Sequence, residues 1–133
     1  MKYILDKNAL SNDLLKNNSK RTDLCITEEV IQEAGYSRAE VRTLAKTGIN
    51  ILRMSKKHLE KLKEVMKAEG GNLKLISLYP GRGTADVVMI AYVLAERDIV
   101  DTLFPDEFTI ITNDKELTSV AKKYQIKCVS KLV

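Results

Sequence analysis

The chain has 133 residues, 44% of them hydrophobic and 30% charged, with a formal net charge of +4. That length supports one compact domain with its own core, and that composition excludes a disordered polypeptide. No apolar run approaches the roughly 18–20 residues of a membrane span, and MKYILDKNAL has neither the apolar stretch nor the small-residue cleavage site of a signal peptide. A cytosolic protein is the default expectation.

In chain order, KYILD (2–6) predicts a short buried strand ending at Asp6. Leu10, Leu14 and Leu15 give a helical pattern over 8–17, and NNSKR then reads as a loop. DLCI (23–26) is a second strand. Thr27 is placed to cap a helix reaching Ala34, with Val30, Ile31 and Ala34 on its inner face and Gly35 as terminator. Ser37 and Glu40 have capping-box spacing, and Gly48 ends the helix that they begin. NILR (50–53) predicts a third strand. Ser55 opens an amphipathic helix to Glu69, whose apolar stripe is Leu59, Leu62, Val65 and Met66 and whose lysines and glutamates read as a solvated face.

LKLISLY (73–79) fits strand or helix, and Pro80 to Gly83 reads as a loop. The segment from Ala85 to Arg97 is apolar on every side and predicts a helix in the middle of the fold. FTIIT (108–112) is a strand, 115–124 a helix through Leu117, Val120 and Ala121, and IKCVS (126–130) the last strand. Alternating strands and helices, without a linker or repeat, predict a single α/β domain over 1–133 with a parallel sheet and helices on both faces. In such a sheet the site lies at the carboxyl ends of the strands.

Cys25 and Cys128 sit in strand-like apolar runs and read as small hydrophobes. His58 lies on the lysine-rich helix with no metal-spaced partner and reads as a solvated residue. A Ser–His or Cys–His nucleophile therefore has little support.

Asp6, Glu33, Asp86 and Asp114 stand at strand ends or on helices, each beside apolar residues. Taken singly, each has an ordinary role. Asp6 and Asp114 suit turns or helix caps, Glu33 a helix face, and Asp86 the positive end of a helix dipole. Glu28 and Glu29 read as solvated. Together, four carboxylates near a core ask for partners or a cation. An all-oxygen pocket suits Mg²⁺ or Mn²⁺, and those ions suit phosphodiester cleavage.

The segments YILDKNAL, ITEEVIQEAG, TADVVMIAYVLA and TIITNDKEL, in that order and spacing, resemble the PIN-domain ribonucleases and in particular the VapC-like toxins. The resemblance spans nearly the whole chain. It implies a three-layer fold with strand order 3-2-1-4-5, and a Mg²⁺- or Mn²⁺-dependent endoribonuclease whose acids match Asp6, Glu33, Asp86 and Asp114. It also implies a cognate antitoxin and a homodimer.

Asn8 matches the family pattern, but Lys7 stands where the family has Thr or Ser. A cation there competes with a metal or contacts substrate phosphate. Thr112 and Asn113 are candidates to position neighbouring carboxylates, and Arg82, between glycines ahead of Asp86, is a candidate substrate contact. Two rival readings stay open. One is a catalytically silent domain that binds RNA or protein; the other is a DNA-directed structure-specific nuclease.

Overall fold

The computed structural model describes residues 1–10, 21–70, 85–98 and 107–131. Five strands form one parallel sheet: β1 (Lys2–Leu5), β2 (Leu24–Thr27), β3 (Asn50–Leu52), β4 (Phe108–Ile111) and β5 (Lys127–Val129), in the spatial order β3-β2-β1-β4-β5. Register follows the apolar runs, with Ile4 opposite both Cys25 of β2 and Ile110 of β4. Every residue of β2 and β4 is buried. A strand covered on both faces reads as continuous hydrophobicity rather than alternation, as these two do. Cys25 and Cys128 lie on strands that are not neighbours, and neither is in a disulfide.

Among the described residues, five helices accompany the sheet: α1 (Glu28–Glu33), α2 (Arg38–Lys46), α3 (Lys56–Ala68), α4 (Ala85–Arg97) and α5 (Lys115–Lys123). The Thr27 hydroxyl accepts from the Val30 N–H at 3.3 Å and starts α1. Gly35 follows with a φ of +73°, a left-handed turn that a Cβ would strain. Ser37 and Glu40 close a reciprocal capping box on α2, at 3.1 and 3.2 Å. The central helix, α4, buries Ala85, Val87 to Val93 and Ala95, as its uniform apolarity predicts.

Two segments depart from the sequence reading. The chain after β1 does not run into a helix from residue 8. Asp6 caps a single 3-10 turn, Lys7–Ala9, and Leu10 is already extended, at φ −85° and ψ 106°. The rest of the predicted 8–17 helix, the 73–79 segment and the 80–83 loop lie outside the described residues.

The second departure is the facing of α3. Leu59, assigned to the stripe, is 49% exposed, whereas His58 is 7% exposed. The inward face is His58, Leu62, Val65 and Met66. The imidazole is tolerated there because all its polar capacity is used. Its Nδ1 accepts from the Ser55 N–H at 3.0 Å and also meets the Ser55 hydroxyl at 2.6 Å, while Nε2 faces Glu96 at 2.8 Å. The ring stacks on Tyr92 of α4 at 4.2 Å and 7°. His58 thus fills the capping-box position of α3 that a Glu or Gln usually takes, and it ties α3 to α4.

Glu69, at the far end of α3, is also buried rather than solvated. It accepts from Lys123 at 2.7 Å and from the Tyr124 hydroxyl at 3.1 Å, and the Lys123 ammonium holds its carboxyl below the usual range.

Candidate active site

Strand order fixes where a site can form. β2 and β3 lie to one side of β1, and β4 and β5 lie to the other. The chain therefore reverses its winding direction between β1 and β4, and a crevice opens at the carboxyl ends of those two strands. Asp6 follows the end of β1, and Thr112, Asn113 and Asp114 follow the end of β4.

Asp6 is buried, at 5% exposure, and each of its oxygens has a donor. The Lys7 N–H donates to Oδ1 at 2.7 Å, and the Thr112 hydroxyl donates to Oδ2 at 2.7 Å. The Thr112 oxygen in turn accepts from the Asp114 N–H at 3.0 Å. Because the N–H can only donate, the hydroxyl proton must point at Asp6. One buried threonine thus locks the two strand ends together. Asp114 Oδ1 accepts from the Leu117 N–H at 2.9 Å and caps α5. The ordinary capping role holds for Asp6 and for Asp114, and it fixes both at the crevice.

Asp86 occupies the first turn of α4 and is half-buried. Its carboxyl is pushed up to about 7, first by burial and then by the negative charges of Asp6, Asp114 and Glu33. A helix N-terminus favours an anion by only about 0.3–1 kcal/mol, so desolvation and like charge win here. The other three acids singled out in the sequence therefore all act electrostatically on Asp86. Among the described residues, the charges that bear on Asp86 are all negative.

Glu33, half-buried on α1, contributes the weakest of these effects on Asp86. Lys7 and Asn8 are exposed in the 3-10 turn, and Asn113 is exposed after β4. Arg82 lies outside the described residues.

Glu29 corrects the sequence reading. Glu28 does face solvent and pairs with Arg53 at 2.8 Å. Glu29 does not: its Oε2 is sealed from solvent and has no hydrogen-bond partner among the described residues, and burial raises its pKa. Its charged neighbour is Glu28 rather than the four acids. The sequence signal was its position one turn before Glu33 on the same helix.

The carboxylates that bear on Asp86 offer oxygen donors only. Among the described residues, no set of three or more His, Cys, Asp or Glu side chains is arranged to hold one ion. Mg²⁺ is commonly bound through one or two carboxylates while retaining several waters, so the donor chemistry fits such an ion without a three-carboxylate cage.

No family model matches the sequence, and no curated protein matches it. Among solved structures, the chain is similar to the PIN domain of RRP44 from T. brucei, with a TM-score of 0.51 and 12% identity over 96% of this chain and 75% of that one. The architecture is that of a PIN domain: a five-stranded parallel sheet in the order 3-2-1-4-5 with helices around it.

Proposed function

We propose that this protein is a metal-dependent endoribonuclease that hydrolyses RNA phosphodiester bonds, with Asp6, Asp86, Asp114 and Glu33 as its acidic centre. The observation that carries this reading is the Asp86 carboxyl, raised to about 7 by burial and by three other carboxylates. Charge of that density in a crevice is relieved by a divalent cation.

Asp6, Asp86 and Asp114 would hold Mg²⁺ or Mn²⁺, with Glu33 at a second ion or orienting water. The bound ion supplies Lewis-acid polarisation of the phosphoryl group and lowers the pKa of a coordinated water. The chain's own residues do the positioning. Thr112 holds the Asp6 carboxylate through Oδ2, the Lys7 amide holds it through Oδ1, and the α5 cap fixes Asp114.

Lys7 motivated the silent-domain alternative. It is exposed, and among the described residues the charges acting on Asp86 are those of the other acids. Active-site competition by that ammonium is therefore not what the electrostatics favour. The order of the four motifs extends the proposal to the toxin of a toxin–antitoxin pair, for which induced expression should arrest growth and the Asp86→Asn form should not.

The biochemical test is cleavage of single-stranded RNA, with DNA in parallel, in Mg²⁺, in Mn²⁺ and in chelator. Wild-type protein is expected to cut RNA only with metal, and Asp86→Asn should lose at least about 100-fold in rate, the scale of removing one electrostatic group from a reaction centre. Equal turnover by wild type and Asp86→Asn would overturn the assignment.

A further inference from the structure

We propose that the groove between α5 and β5 is a nucleotide subsite, which takes one phosphate and base of single-stranded RNA beside the acidic centre. The assignment rests on the nuclease reading and extends it to substrate positioning.

The groove has a volume of about 470 Å³, within the roughly 300–1,000 Å³ of small-molecule sites. One wall is a face of α5 that presents Lys115, Thr118, Ser119 and Lys122. Their spacing, i, i+3, i+4 and i+7, puts them on one side of a helix. The other wall is the edge strand, with Cys128 and Val129. Thr112 also lines the groove, and its hydroxyl is the one that donates to Asp6. The cavity and the acidic centre therefore share a residue.

The chemistry of the two walls differs in the way a nucleotide requires. Lys115 and Lys122 are exposed ammonium donors for phosphate, and Thr118 and Ser119 are exposed hydroxyls for phosphate or ribose. Cys128 and Val129 are half-buried and offer an apolar surface to a base. Burial pushes the Cys128 thiol up to about 11, so it stays neutral and does not repel an anion. The location also answers an electrostatic need. Four carboxylates repel a polyanion, and a strand reaching them must be held by cations close by.

The test uses full-length Asp86→Asn protein, a short fluorescein-labelled single-stranded RNA of mixed sequence, and anisotropy titrations at several salt concentrations. Lys115→Ala/Lys122→Ala is expected to weaken binding by about tenfold and to make the log–log salt slope shallower by about 0.7, the value for one phosphate contact on a single strand. Lys56→Ala/Lys57→Ala, on exposed positions at the start of α3, removes the same net charge and should leave both quantities close to the parent.

Ser119→Trp occupies the groove without altering charge, and should weaken binding while leaving the slope intact. In the otherwise wild-type enzyme, both groove variants should raise KM with kcat retained. Equal losses from the two lysine pairs, parent-like binding by Ser119→Trp, or no RNA binding by the parent would each overturn the subsite. If wild type cuts no RNA in any metal, the nuclease reading fails, while the binding comparison still decides whether the groove takes a nucleotide.

Discussion

At the scale of single residues, Asp86 sets a testable sign. Its folded pKa, about 7, lies above the ordinary carboxyl value of 3.8. Between those values the folded protein binds more protons than the unfolded chain, so stability falls as pH rises through that window. Metal-free protein is expected to lose stability in urea from about pH 4 to about pH 7 and to level off above. Asp86→Asn should flatten this part of the profile and be the more stable protein at pH 8 without metal. The positions of Asp6 and Asp114 were legible in the sequence because a strand end followed by a helix start is a local signal. The Thr112 bridge was only partly legible, since its hydroxyl meets Asp6 across 106 residues of chain. Glu29 was misjudged for a related reason: helix periodicity places it beside Glu33, but says nothing about what seals its Oε2 from water.

At the scale of elements, caps were the most readable features. Ser37 with Glu40, Thr27 before α1 and Gly35 after it are all short-range chemistry, and all appear as expected. The face of α3 was not readable from hydropathy. A scale that scores imidazole as polar turns His58 outward and Leu59 inward, whereas the paired and stacked ring is what α4 packs against. His58→Ala is expected to destabilise the fold by about 1–3 kcal/mol in denaturant titrations, because Glu96 and the Ser55 N–H lose a partner along with the stack. Leu59→Ser, at an exposed position, should change stability by no more than about 0.5 kcal/mol. The 8–17 helix failed at its start through a cap as well. The Asp6 carboxylate takes the Lys7 N–H and closes a single tight turn, and Leu10 leaves it extended.

At the scale of the whole molecule, alternating strand and helix patterns were enough to predict a parallel sheet, but not its order. Strand neighbours are chosen by long-range packing that no local window contains, and the order came from resemblance of the motifs. That order sets the ends of β1 and β4 side by side, and Asp6, Glu33 and Asp114 all bear electrostatically on Asp86. Ligand binding should therefore register in global stability. Mg²⁺ or Mn²⁺ at 100 times its dissociation constant is expected to stabilise the native state by about 2.7 kcal/mol, read as a rise in Tm that chelator reverses. The rise should be much smaller in Asp86→Asn, and an equal rise in both proteins would remove Asp86 from the binding group.

The hydrogen bonding of Asp6 also governs which amide variant is informative. Each of its two oxygens faces a hydrogen that the fold has already aimed, one from the Lys7 amide and one from Thr112. Asparagine has only one oxygen, so Asp6→Asn keeps the Lys7 N–H only with its NH₂ toward Thr112, whose hydroxyl must then turn to accept it and gives up the bond that it donated to Asp6. Lost turnover in Asp6→Asn would mix damaged folding with damaged chemistry. Asp86, half-buried and acted on by three other carboxylates, should welcome the neutral amide, which makes it the position where inactivation can be read as chemistry alone.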